Sequence, residues 1–171
     1  MPSSLAIPSP VTSTDGTDTY KAVVFAIAQH YFALPVAAIF RVVQCSPELS
    51  YSMQNQELVL LDNQPLTFLD LHPILSKPGR QKSTTELPAK YAPCLVVTHC
   101  QQGNLCAIAA DQPPSLLELS LANTHPLPPD YRQAIAHIAS HVAILPHQRA
   151  TLNILLLDLQ QALHCSSLMP K

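Results

Sequence analysis

The sequence predicts a mainly β protein made of two related small units, each a barrel or curled sheet, with short helices attached. Three observations point there. Apolar residues make up 47% of the 171-residue chain and charged residues only 12%, against roughly a quarter charged in an ordinary globular domain, so a sizeable core forms under a sparsely charged surface. The apolar residues fall in short runs broken by polar pairs, which is the pattern of hairpins. The segment Phe68-Leu69-Asp70-Leu71 with Ile74-Leu75 recurs 88 residues later as Leu156-Leu157-Asp158-Leu159 with Ala162-Leu163, and a hairpin signal lies upstream of each copy. Closing each sheet on itself removes the edges that such strands otherwise expose.

Residues 1–19 are rich in Ser, Thr and Pro and hold too few apolar anchors to offset the entropy of ordering them, so they read as a flexible tail. YKAVVFAIA at 20–28 and YFALPV at 31–36 then form two strands around Gln29-His30, with Pro35 closing the second. In VAAIFRVVQ, Val36, Ile39, Phe40 and Val43 have helical spacing, which favours a short helical turn although the same residues suit a strand. The next hairpin, within 57–75, turns at Asp62-Asn63-Gln64, residues that hydrogen-bond their own backbone and tolerate a tight turn.

Residues 76–90 are polar, with four cations against Glu86, and suit an exposed connection between two subdomains. APCLVVTHC at 92–100 and NLCAIAAD at 104–111 form the next pair of strands, turning at Gln101-Gln102-Gly103, and SLLELSLA at 115–122 follows as a third. The segment 135–145 reads as helix or strand, and Ile135, Ile138 and Val142 would share a face if it were helical. The last element is a strand through about Leu157 followed by a short helix, with the Asp158 carboxylate capping its first amides. The domain reading is therefore a tail at 1–19, two β subdomains over 20–165, and a C-terminal tail at 166–171.

Nine Lys plus Arg against eleven Asp plus Glu give a net charge of −2, and the cations are scattered, which argues against nucleic acid as a partner. The N-terminus lacks the basic head and apolar stretch of a secretory signal, and no apolar run reaches the roughly twenty residues that span a bilayer. The expectation is a soluble, intracellular chain without direct membrane insertion. The five cysteines are odd in number and sit mostly in apolar segments, as reduced structural thiols do.

The stretches FAIAQHYFALPVAAIFRVV, LVLLDNQPLTFLDL, CLVVTHCQQGNLCAIAAD and LNILLLDLQQAL, taken in order across most of residues 21–163, resemble the CheW-like family of chemotaxis coupling proteins. The resemblance implies two intertwined five-stranded β-barrels around a hydrophobic core, with no catalytic centre and no cofactor. It also implies an adaptor that links the regulatory domain of a signalling histidine kinase to a chemoreceptor or photoreceptor signalling tip. The pathway would be chemotaxis, phototaxis or twitching motility, in the cytoplasm at a membrane-associated signalling array.

The family commonly carries Asn-Leu-Arg-Gly at the turn where this chain has Leu60-Leu61-Asp62-Asn63. Exchanging Arg for Asp changes the local charge by two units and removes the guanidinium donors, whereas Asn63 still supports the turn where Gly is expected. Leu61, Asp62, Asn63 and Gln64 therefore read either as a solvated turn or as part of a partner-binding surface with altered chemistry. Ile39, Phe40, Arg41 and Val43 form a second candidate surface, for which core packing is the alternative.

Catalytic readings find little in the chain. Cys94, Cys100 and Cys106 lack the close paired spacing of a compact zinc site, and His137 and His141 have no companion carboxylate in an HExxH arrangement. The three glycines, Gly16, Gly79 and Gly103, begin no phosphate-binding loop. Asp70 and Asp158 read as paired helix caps and not as a general acid and base.

Overall fold

The order of pairing, more than the strands themselves, sets the architecture. The computed structural model describes residues 11–12, 18–45, 58–75, 94–100 and 103–168. Twelve strands run through the described residues: β1 (Val11–Thr12), β2 (Asp18–Ile27), β3 (His30–Pro35), β4 (Ile39–Gln44), β5 (Leu58–Leu61), β6 (Gln64–Leu69), β7 (Cys94–His99), β8 (Leu105–Ala110), β9 (Ser115–Ser120), β10 (Thr124–Pro126), β11 (Ala139–His147) and β12 (Ala150–Leu157). Three short helices join them: α1 (His72–Leu75), α2 (Pro129–Ala134) and α3 (Leu159–Leu168).

The first sheet runs β1-β2-β3-β12-β11-β10, and the second runs β4-β7-β8-β6-β5. Ala22 to Val24 pair with β3 and also with β9, so β9 lies on the opposite edge of β2. Each sheet thus joins a hairpin from one half of the chain to three strands of the other half. Hairpin β2–β3 sits with β9, β11 and β12, while hairpin β7–β8 sits with β4, β5 and β6. The joins β3–β12 and β6–β8 are both parallel, so the two sheets repeat one plan with strands exchanged. Short strands β1 and β10 extend the first sheet to seven strands, where the resemblance implies five.

Burial divides into three clusters that follow from this exchange. Tyr20, Ala22, Val24, Leu119, Ala143 and Ile154 form the first sheet's own core. Val59, Leu66, Leu95, Val97, Leu105 and Ala107 form that of the second. The largest cluster joins Phe25, Phe32 and Leu155 of the first sheet to Val96, Cys106 and Ile108 of the second. Alternating side chains on one strand therefore serve two cores, as in β8, which is buried on both faces.

Two hairpin turns use left-handed residues in pairs, Ala28-Gln29 and Asp62-Asn63. Both pairs have positive φ, the geometry whose twist matches that of the flanking strands. Asp and Asn adopt it readily, but Ala and Gln do so at a cost. The first turn thus falls one residue earlier than Gln29-His30, and Pro35 does end its strand.

The helical turn expected after Val36 gives way to a strand beyond its first residues, and the segment left open as helix or strand becomes mostly strand. Residues 36–38 make a single 3₁₀ turn, and Ile39 to Gln44 then pair along β7; a helix there would leave the edge of β7 without hydrogen-bond partners. In 135–145, Ala136 and His137 take left-handed conformations that stop α2, and β11 begins at Ala139. Ile135 and Ile138 nonetheless share one core with Val142, and His137 and His141 occupy no common helix face. At the chain end the cap forms as expected, with the Gln161 amide donating to Asp158 Oδ1 at 3.2 Å. Helix α3 continues to Leu168, past the boundary drawn at 165, and backbone pairing of Val11–Thr12 with Asp18–Thr19 brings parts of 1–19 into the first sheet. The connection at 76–90 lies outside the described residues.

Candidate functional site

Strand β4 alternates half-buried Ile39, Arg41 and Val43 with exposed Phe40, Val42 and Gln44. Strand β5 alternates in the same way, with Val59 buried and Leu58 and Leu60 exposed. These strands are the two edges of the second sheet. Arg41 Nη1 donates to Asp62 Oδ2 at 2.8 Å, so the sheet curls until its edges meet at this ion pair. The structure therefore brings the two candidate surfaces, 39–43 and 61–64, to one seam.

At that seam Val43 and Leu61 pack against the second sheet's own core, which makes them structural supports. Phe40, Val42, Leu58 and Leu60 are all exposed, from 44% at Val42 to 68% at Leu60; these four apolar side chains flank the seam on its outward side. The Phe40 ring meets His99 edge to face at 5.4 Å, and the Arg41 guanidinium carbon lies 5.9 Å from the Phe40 centroid. Asn63 and Gln64 are exposed beside them. Val42, Leu58 and Leu60 carried no special signal in the sequence, because only the sheet position separates an outward leucine from a core one.

In a second constellation the sequence marked only Asp70, as a helix cap, and gave no sign of His72 or Asp111. His72 Nδ1 lies 2.6 Å from Asp70 Oδ1, and Nε2 lies 2.6 Å from Asp111 Oδ1. Asp70 Oδ1 also accepts the His72 amide at 3.0 Å, as a cap of α1. The hydrogen bond to Asp70 is the main reason His72 rises to about 9; burial opposes it, and the Asp111 bond adds to it. Burial pushes the Asp70 carboxyl upward, but the hydrogen bonds from His72 outweigh it and leave Asp70 below its usual range.

A cleft of about 530 Å³ opens among Thr67, His99, Cys100, Asn104, Leu159, Gln160 and Leu163. It holds the adjacent Cys and His, but not in a nucleophilic arrangement. Burial and the neighbouring Cys106 push the Cys100 thiol up to about 12, so it stays protonated at neutral pH. Burial likewise pushes Cys45 up to about 11, and the five cysteines are all free. Among the described residues no group of three or more His, Cys, Asp or Glu could hold a metal ion.

A family model, the CheW-like domain, matches residues 21–166. The chain belongs to the CheW-like domain family. A solved CheW-like structure, that of the scaffolding protein TtCheW from Thermoanaerobacter tengcongensis, superposes with a TM-score of 0.56 at 16% identity, covering 86% of this chain and 90% of that one. No curated protein matches the chain by sequence. Asp62, which the sequence marks as a departure from the turn that the resemblance implies, is matched in the same chain by Arg41.

Proposed function

We propose that this chain is a noncatalytic coupling adaptor that binds the regulatory domain of a histidine kinase and a chemoreceptor or photoreceptor signalling tip. It would act in the cytoplasm, in chemotaxis, phototaxis or twitching motility, and phosphoryl transfer would remain on its partners. The observation that carries this reading is the seam of the second sheet, where Phe40, Val42, Leu58 and Leu60 are exposed around one ion pair. Outward apolar residues rimmed by polar groups suit protein recognition better than catalysis. Family membership supports a scaffold, and the protonated Cys100 weighs against a Cys/His enzyme. Among the described residues no helix is long and apolar enough to cross a membrane.

The test is a calorimetric titration of the full chain against the regulatory domain of the histidine kinase from its own organism. The expected result is saturable binding in the micromolar range, weakened about tenfold or more by Leu60→Asp, which places a charge in the apolar contact. Leu60 is too exposed for that substitution to unfold the chain. Absence of binding with both proteins folded would overturn the kinase-coupling reading, and binding unchanged in Leu60→Asp would remove the seam from it.

A further inference from the structure

The Asp70–His72–Asp111 constellation serves no purpose in the partner-binding reading, and its geometry sets its protonation state. Both imidazole nitrogens face carboxylate oxygens at 2.6 Å. A carboxylate only accepts, so both contacts are satisfied when both nitrogens carry protons. Both carboxylates stand at the ends of neighbouring parallel strands of the second sheet, Asp70 after β6 and Asp111 after β8, and Asp111 is the one that reaches the first sheet.

Asp111 has a further task. Its Oδ2 accepts the amide of Ala28 at 2.8 Å, and its own amide donates to the Ala26 carbonyl at 2.8 Å. Ala28 and Gln29 form the left-handed β2–β3 turn without a Gly or Asn, so that turn is a strained conformation its surroundings must hold. The chain of contacts thus runs from α1 through His72 and Asp111 to a strained turn of the first sheet. The other titratable side chain on that turn is His30, whose Nδ1 donates to the Ala28 carbonyl at 3.0 Å.

We propose that Asp70, His72 and Asp111 form a proton-operated clasp between the two sheets, which holds the β2–β3 turn while His72 is an imidazolium and frees it when that proton leaves. Loss of the proton leaves a lone pair facing a carboxylate. The Asp111 side gives way, because Asp70 keeps the His72 backbone amide as well. The rise of His72 from 6.5 to about 9 corresponds to a proton held about 300-fold more tightly than in the unfolded chain. Its folded-state value lies above the unfolded one, so the clasp stabilises fully below pH ~6.5 and its contribution disappears as pH rises through about 9.

The test is an NMR titration of the full chain that follows the His72 imidazole and the Ala28 amide together, in the natural sequence and in Asp111→Asn. The expected result is one midpoint near pH 9 for both signals, shifted down by about one unit, or tenfold in proton affinity, in Asp111→Asn. A His72 midpoint near the ordinary histidine value overturns the proposal. So does a raised midpoint that the Ala28 amide does not follow. The natural-sequence titration decides the matter even if Asp111→Asn fails to fold.

Discussion

Reversing the charge of Asp62 tests whether the ion pair helps close the second sheet. Arg41 and Asp62 meet at 2.8 Å with side chains 36% and 74% exposed, so water and salt screen them strongly. Coulomb attraction at this separation is about 1.5 kcal/mol in bulk water, and the ordering of two side chains reduces the net to about 0.2–1 kcal/mol. Asp62→Arg turns attraction into repulsion and also forces Arg into the left-handed turn at position 62, a separate cost that Asp bears more easily. A double-mutant cycle with Arg41→Asp cancels that backbone cost, because both arms that change position 62 carry it. The expected coupling is about 1–2 kcal/mol, since both single variants place like charges together and the double variant restores a pair. Urea unfolding of the four proteins at low salt and at 1 M salt reads it, and the coupling should shrink at high salt. A coupling indistinguishable from zero at low salt would refute the reasoning and leave seam closure to Val43, Leu61 and their apolar neighbours.

Two further substitutions probe the frame that carries the seam. Ile108→Ala empties a fully buried position in the core between the sheets and should cost about 2–5 kcal/mol in urea unfolding with little change in slope, whereas an effect below 1 kcal/mol would mean the sheets do not pack there. Asp158→Ala removes the oxygen that accepts the Gln161 amide and should cost about 1 kcal/mol, with faster amide exchange in the first turn of α3. Unchanged exchange would show that packing of Leu159, Ala162 and Leu163 on the core holds the helix without the cap.

How much the sequence revealed depended on the range of the interaction. Hairpins β2–β3, β5–β6 and β7–β8 were legible because each is a local apolar pair around turn residues. The cap at Asp158 was legible because its partner is three residues away. Val36 to Val43 misled because helical and strand patterns overlap in so short an apolar run, and the unpaired edge of β7, remote in sequence, decided between them. His72 and Asp111 lie 39 residues apart, and no spacing pattern links them, so no local signal could join them.

The candidate surfaces divide in the same way. Asp62 drew attention from the sequence because its charge departs from the family's usual turn, but its pairing with Arg41, 21 residues away, appears only when the two edges of one sheet meet. The sequence by itself determined the mainly β class, the repeated Leu-Asp-Leu strand ends, the hairpins and the family, all of which follow from neighbouring residues and their order. Only the tertiary structure decided that hairpins β2–β3 and β7–β8 each join the other half's sheet, that Phe40, Val42, Leu58 and Leu60 face outward, and that Asp111 meets the Asp70–His72 pair from 39 residues away. Each of those outcomes turns on which strand lies beside which, and an alternating apolar pattern is satisfied equally well by any neighbour that buries the correct face.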